Sequence, residues 1–368
     1  MNAGASLKHT CLHDLHLSLG ARMAPFGGWD MPIQYTGILR EHEAARTGAT
    51  LFDICHMGEF HMEGPKAPDD LERLVTCDIG TLKVGQCRYG LLCNNAGGVL
   101  DDLLVYRLAA TAFMIVVNAS TQDTDFEWIR SRLAPSTTVR NLAGTIAKID
   151  LQGPASPRIL TALVRGLIDP GFYRFTHVQH RGLRTLVSRT GYTGEIGFEI
   201  YTAPGEAAGF WKAAMDLGAI PAGLGARDTL RLEMGMPLYG HELSAERNAA
   251  ESGFARAIST GKSFVGAGAV RDPALAPQRL CGIELEGRRA ARNGDRVEIN
   301  GRPEGVVTSG SFGPSVGKAI ALAYASTEHT KPGTGVSIVT GRGVIRGRVV
   351  PLPFYHNGTG RRPMGDFM

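Results

Sequence analysis

Two adjacent carboxylates, Asp101 and Asp102, lie inside the apolar run Val99-Leu-Asp-Asp-Leu-Leu-Val-Tyr106. So many branched and apolar residues predict a strand, and a strand points alternate side chains to opposite faces. Asp102 then shares a face with Leu100, Leu104 and Tyr106, and Asp101 shares the other with Val99, Leu103 and Val105. A carboxylate among such neighbours needs a partner or a task, because unpaired burial is costly. The plainer reading of either acid is a cap on the preceding turn, residues 94–98, whose Asn and Gly suit tight turns. Another acid, Glu199, follows the glycine-punctuated Thr190-Gly-Tyr-Thr-Gly-Glu195. Arg227 and Arg231 stand four apart in a predicted helix and so project to one side. Such a set can hold a polar heterocycle. A carboxylate accepts two hydrogen bonds from an amino-pyrimidine edge, and a guanidinium pairs with a carbonyl or carboxylate. No Ser-His-Asp spacing, P-loop or metal triad competes with it. Gly223 and Gly225 make no dinucleotide fingerprint, since Asp228 occupies the third glycine's place.

The elements that must carry these residues follow from pattern. A short helix is expected over 38–47, with Glu41, Glu43 and Arg46 as its polar side, after an extended, turning segment over 23–35. A strand centred on 52–58 is expected within 49–62. His56 and His61, at an odd offset, then face opposite ways. A helix over 70–76, strands over 88–93, 99–106 and 112–118, and a helix over 123–133 build an α+β unit from 54 to 142. Strands over 147–151, 182–189 and 197–202 follow, with a helix through Val164 and another over 205–217. Short strands with Asn-Gly turns over 280–352 predict an all-β barrel or sandwich. Residues 241–279 read as a connection with a short helix or two, and 357–368 as a loose polar tail. His9, His13 and His16 recur on one face of a possible helix. That spacing can hold a metal, but no carboxylate-histidine motif completes it, so a solvated or hydrogen-bonded histidine face is expected.

The chain's 368 residues exceed one ordinary core, and two or three domains are expected. Hydrophobic content of 43% and charged content of 20% are globular values. The net charge of +4 is dispersed, with no basic cluster of the nucleic-acid-binding kind. No stretch approaches the roughly 20 apolar residues that span a bilayer, and residues 1–20 lack the apolar core of a secretory signal. The six cysteines form no C-x-x-C pair and read as reduced, buried thiols of a cytoplasmic protein.

Several blocks taken together resemble the glycine cleavage T-protein and its wider folate-binding aminomethyltransferase family. They are Phe26-Gly-Gly-Trp-Asp-Met-Pro32, Phe52-Asp-Ile-Cys-His-Met57, Asn95-Ala-Gly-Gly-Val-Leu-Asp-Asp-Leu-Leu-Val105, Gly191-Tyr-Thr-Gly-Glu-Ile-Gly-Phe-Glu199, Gly225-Ala-Arg-Asp-Thr-Leu-Arg-Leu-Glu-Met-Gly235 with Leu238-Tyr-Gly240, and Val307-Thr-Ser-Gly-Ser-Phe-Gly-Pro-Ser315. They span residues 7–355 in the family's order. The resemblance implies an α+β fold of three domains, a cloverleaf around a central folate channel. The first lobe would be discontinuous, 1–53 with 143–245. Residues 54–142 would form the α+β lobe carrying the acid strand, 246–279 a connection, and 280–356 the barrel.

It further implies that tetrahydrofolate is co-substrate and that a lipoylated H-protein delivers an aminomethyl group, with release of ammonia. No metal, nucleic acid or membrane is implied, and a monomer or weak dimer is expected. Matched residue by residue, Asp102 falls on the catalytic acid and Glu199 and Arg227 on the folate-recognition pair. Met57, Val116, Asn118, Tyr192, Asp101 and Tyr355 fall on cofactor-binding positions. Two departures stand out. Cys55 replaces a usual Ser, and Asn248-Ala-Ala-Glu-Ser-Gly-Phe-Ala-Arg256 replaces a Trp-containing strand at the channel mouth, keeping only Glu251. That segment keeps open a folate-dependent demethylase or methyltransferase acting on a small methylated donor. A folate-binding assembly or repair factor without transferase activity is the reading of another class.

Overall fold

The structure is a computed structural model that describes residues 6–368. Residues 1–5, the start of the stretch discussed above for a signal, lie outside it. Among the described residues a two-stranded ribbon, Arg22–Phe26 with Trp29–Gln34, and three larger sheets carry the chain. The acid strand, Val99–Ala109, sits in a five-stranded antiparallel sheet ordered Cys87–Cys93, Val99–Ala109, Ala112–Val117, Gly58–Glu63, Thr138–Asn141. Its alternation is the expected one: Val99, Asp101, Leu103 and Val105 are buried, while Leu100, Asp102 and Leu104 are partly exposed. Leu103 and Val105 pack with Phe60, Leu71, Phe113 and Ile115 into one core beneath the helix Ala67–Leu74.

The turn before this strand is built for close approach. Asn94 Oδ1 accepts from the N–H groups of Ala96 and Gly98, at 2.9 and 3.0 Å. Gly97 takes φ +81°, and a Cβ on Gly98 would lie 1.8 Å from the carbonyl oxygen of Ala245. Only glycine fits either demand.

Glu199 lies on Gly197–Thr202, in a six-stranded sheet ordered Phe175–His180, Leu183–Ser188, Gly197–Thr202, Ala147–Gln152, Thr50–Asp53, Ile220–Pro221. Only the last pair is parallel. Phe198 and Ile200 turn away from Glu199 into a core with Leu51, Ile149, Phe210 and Trp211. Arg227 and Arg231 lie on the helix Leu224–Glu233. Six strands between Gln278 and Val350 close a barrel.

Four expectations are corrected. The strand read through 52–58 breaks after Thr50–Asp53, turns, and restarts at Gly58–Glu63. Ile54, buried here, bonds through its N–H to the Lys148 carbonyl, and Met57 N–H to that of Ile54, so the chain crosses from one sheet to the other. The helix Ile38–Thr47 buries part of its polar side: Glu43 stays exposed, but Glu41 Oε1 accepts from the N–H groups of Tyr35, Thr36 and Gly37. The histidine face is split, because the helix His13–Ser18 begins after His9 and turns His16 inward to Asp53, 2.9 Å away, and Tyr35. The tail is docked, not loose. Gly360 N–H bonds to Gly194 O at 2.9 Å, Thr359 Oγ1 to Glu195 Oε2 at 2.5 Å, and Met364 is buried in the core beside Phe198.

Candidate active site

A cavity of 1170 Å³ opens between the two sheets. Its walls come from the acid strand and its neighbours, the turn at His56–Met57, the loop 189–199, the helix Leu224–Glu233, residues 234–241 and 254–257, and the chain leaving the barrel at Pro353–Arg361. Asp102, Glu199, Arg227, Met57, Val116, Asn118, Tyr192 and Tyr355 all line it.

Asp101 does not. It is wholly buried on the far face of its strand, so the expectation that it touches a cofactor is corrected. The cause is the alternation that puts Asp102 on the cavity side. Asp101 accepts instead from Asn118, at 2.9 Å from the N–H and 2.8 Å from Nδ2. Asn118 Nδ2 also donates to Asp102 Oδ1 at 2.8 Å. One amide thus ties the two acids together across the end of the neighbouring strand. Tyr89 OH donates to Asp102 Oδ2 at 3.1 Å, from a strand whose Leu91 pairs with Asp102.

Burial, helped by the Asp101 carboxyl, pushes Asp102 up to about 7. Burial drives Asp101 well above the usual carboxylate range and Asp125, on the helix behind it, to about 7. The site therefore holds two neighbouring carboxyls whose hold on a proton burial has strengthened, with Asp102 brought near neutrality.

Glu199 is organised differently. Three hydroxyls converge on its Oε2: Thr190 at 2.7 Å, Tyr201 at 3.1 Å and Tyr106 at 3.3 Å. Among the described residues none donates to Oε1, which leaves that oxygen to accept from a ligand in the cavity. Opposite Glu199 in the sheet stands Asp150, fully buried. Asp150 Oδ2 takes a 2.7 Å bond from Arg227 Nη1, and the Arg227 guanidinium lies 4.8 Å from the centre of the Tyr192 ring. Arg227 is both a structural ion-pair residue and a wall residue. Tyr192 OH is tied to Pro237 O, which fixes the ring under the guanidinium. Tyr355 carries Arg46 over its ring at 4.1 Å.

Sequence reasoning missed Asp150, Tyr89 and Tyr106. Lys148, Asp150 and Gln152 alternate along one strand and are all buried, a polar face visible in the pattern Ala-Lys-Ile-Asp-Leu-Gln. Tyr106 stood on the Asp102 face in the alternation, but nothing in the sequence tied its hydroxyl to Glu199, and Tyr89 carried no signal. Seven arginines and four carboxylates line the cavity, an excess that favours an anionic ligand. Phe254 and Arg256, at the end of the altered segment 248–256, and Ala257 just after it are among its walls.

Comparison with known proteins agrees with this architecture. Residues 12–262 match the model of the GCVT N-terminal domain, and 278–356 that of the glycine cleavage T-protein C-terminal barrel domain. An aminomethyltransferase of Halothermothrix orenii is 43% identical over 95% of this chain and 100% of its own. That of Symbiobacterium thermophilum is 43% identical over 96% and 98%. The crystal structure of glycine cleavage system aminomethyltransferase T from Bartonella henselae superposes with a TM-score of 0.90 at 34% identity, covering 97% of this chain and 99% of that one. The fold and matched length define a three-domain one-carbon transferase, and the chain belongs to the glycine cleavage T-protein family. It is an aminomethyltransferase.

Proposed function

We propose that the cavity binds tetrahydrofolate and transfers to it the one-carbon unit of an aminomethyl group carried on the dihydrolipoyl arm of a lipoylated H-protein, releasing ammonia. The observation that carries the folate reading is the pairing of an Asp102 carboxyl facing the cavity with a Glu199 whose Oε2 is saturated and whose Oε1 is open. The donor set suits the ligand. Glu199 Oε1 accepts from a pterin's amino-pyrimidine edge, Arg227 meets a carbonyl, and the arginine-rich wall suits the glutamate tail. The volume exceeds what drug-sized ligands occupy, which leaves room for the incoming arm.

Tetrahydrofolate, when bound, supplies the nucleophilic nitrogens that accept the carbon. The chain supplies the rest. As the aminomethyl carbon leaves the sulfur of the arm, which keeps the electron pair of the broken bond, it becomes iminium-like, and the Asp102 carboxylate, fixed by Asn118 and Tyr89, stabilises that positive charge where little water competes. Orientation and electrostatics come first. Taking a proton from a folate nitrogen is the second task of the same oxygen, whose value near 7 suits it. Met57, Val116, Tyr192 and Tyr355 shape the wall, and Asn118 and Asp101 hold the acid in place.

We place the domain limits at 1–53 with 143–245, 54–142 and 280–356, with 246–279 as the connection. The six-stranded sheet, the five-stranded sheet and the barrel support these limits, and 357–368 joins the first lobe as a docked tail. Among the described residues no helix is long and apolar enough to cross a membrane.

The test is a donor assay: purified protein with tetrahydrofolate and either aminomethylated H-protein or small methylated amines. Formation of 5,10-methylenetetrahydrofolate and ammonia from the H-protein alone is expected. Turnover confined to a small methylated donor would overturn the choice of donor and move the role of segment 248–256 to substrate selection.

A further inference from the structure

Away from the cavity, two side-chain clusters bring reactive groups together. The first is His9, His13 and Asp30. Its imidazoles lie parallel, 3.7 Å apart with 5° between planes, so their lone pairs run side by side and do not converge on one ion. The second is a pair of thiols. Cys11 Sγ lies 4.0 Å from Cys55 Sγ, although 44 positions separate them in sequence.

Asp53 holds them there. Its Oδ2 accepts from Thr10 Oγ1 at 2.6 Å and its Oδ1 from the Cys55 N–H at 2.8 Å. His16 Nε2 adds a third bond at 2.9 Å. Each cysteine is therefore next to, or itself is, a residue anchored on one buried carboxylate. The two segments cannot separate without breaking charge-assisted bonds. The two thiols also differ. Cys11 is exposed and Cys55 is buried. The hydrogen bond from Cys55 holds the Cys11 thiol below the ordinary value. The same contact, with burial, drives the Cys55 thiol well above it. An accessible, acidified thiol beside a sheltered one is the arrangement of an attacking and a resolving cysteine.

We propose that Cys11 and Cys55 form a reactive dithiol that closes to an intramolecular disulfide under a small-molecule disulfide oxidant of the glutathione type. The Cys11 thiolate attacks one sulfur of the oxidant, a Cys11 mixed disulfide forms, and one small thiolate leaves. Cys55 then gives up its proton and attacks Cys11 Sγ, and the second small thiol leaves. Two protein thiols are oxidised and one small disulfide is reduced to two thiols, a two-electron exchange. Closure takes the sulfurs from 4.0 Å to about 2 Å. The resulting clasp ties the segment before helix His13–Ser18 to the turn whose His56 and Met57 line the cavity.

The experiment treats reduced full-length protein with excess oxidised glutathione, blocks remaining thiols by alkylation and maps the digest by mass spectrometry. Wild type is expected to lose two free thiols and to yield one peptide pair joined through Cys11 and Cys55. Cys55→Ser is expected to stop with one glutathionyl group on Cys11. Cys11→Ser, a change at an exposed position, keeps all five of its thiols and its turnover unchanged. A glutathione adduct that persists on Cys11 in wild type, or a Cys11 that stays unreacted, would overturn the proposal, and either result is read without relying on a variant that must fold.

Discussion

At the scale of single residues, the same burial that lifts Asp102 makes it a cost to the fold. Its value in the folded chain, about 7, stands above the ordinary 3.8. The stability it contributes is complete below pH 3.8 and is lost as pH rises through 7, when a buried carboxyl must ionise. The loss is at most about 4 kcal/mol, and smaller where cavity water reaches the oxygens. Asp102→Asn keeps the shape without that charge. It is expected to raise the urea midpoint at pH 8 and leave it nearly unchanged at pH 4. A variant less stable than wild type at pH 8 would show that the carboxylate is not strained by its surroundings. Turnover should rise with pH through about 7, as the anion forms, and this step should vanish in the same variant. Asn118 acts through Asp102 and Asp101. Asn118→Ala is therefore expected to lower kcat about tenfold or more with a much smaller change in the KM for folate, a split that a general loss of structure would not produce.

At the scale of elements, legibility followed how much of each face an element buries on its own. The acid strand and the Glu199 strand each set one apolar face on a core, so alternation told which acid faces which way. It also put Asp101 and Asp102 on opposite faces, although the resemblance placed both at the cofactor. Glu41 and His42 broke the rule for the helix Ile38–Thr47, because other segments cover both of them while Glu43 stays exposed. Its hydrophilic residues serve other segments: Glu41 the backbone of residues 35–37, and His42 both Thr229 and Ser315. Asp150 and Lys148 lie mid-strand in the sheet interior and are satisfied by partners far along the chain, Arg227 at 2.7 Å and Glu59 at 2.5 Å. No local pattern names such partners. The docked tail was missed for the same reason, since its few apolar residues gain meaning only from the core that receives Met364. Deleting residues 357–368 should therefore lower the thermal midpoint by several degrees. An unchanged midpoint would return the tail to the loose state its composition suggested.

At the scale of the whole molecule, Arg46 joins parts that no single sheet holds together. It donates to Glu195 and Glu233 at 2.8 Å each, to Thr193 O at 2.6 Å, and to Ser315 Oγ at 3.1 Å beyond the helix, while its guanidinium covers Tyr355. Burial would raise Glu233, but bonds from His42 and Arg46 hold it at about 2, below the ordinary 4.5. Its contribution is thus present above pH 4.5 and lost as pH falls through 2, up to about 3 kcal/mol. Arg46→Met should cost about 3–5 kcal/mol by taking the shared guanidinium from two buried carboxylates, which leaves Glu195 without its cation and Glu233 with His42 alone, and acid titration of its stability should show a shallower loss between pH 4.5 and 2 than wild type. The lobes so joined bring Asp102 from one sheet and Glu199 from the other to a single cavity, and the account rests on a division of labour between them. Its most direct test measures, side by side, the calorimetric affinity for tetrahydrofolate and the single-turnover transfer rate of Asp102→Asn and Glu199→Ala. The account predicts that Asp102→Asn keeps its affinity within about threefold and loses at least about a hundredfold in rate, whereas Glu199→Ala loses about tenfold or more in affinity. Wild-type transfer by Asp102→Asn, or unchanged affinity in Glu199→Ala, would contradict it.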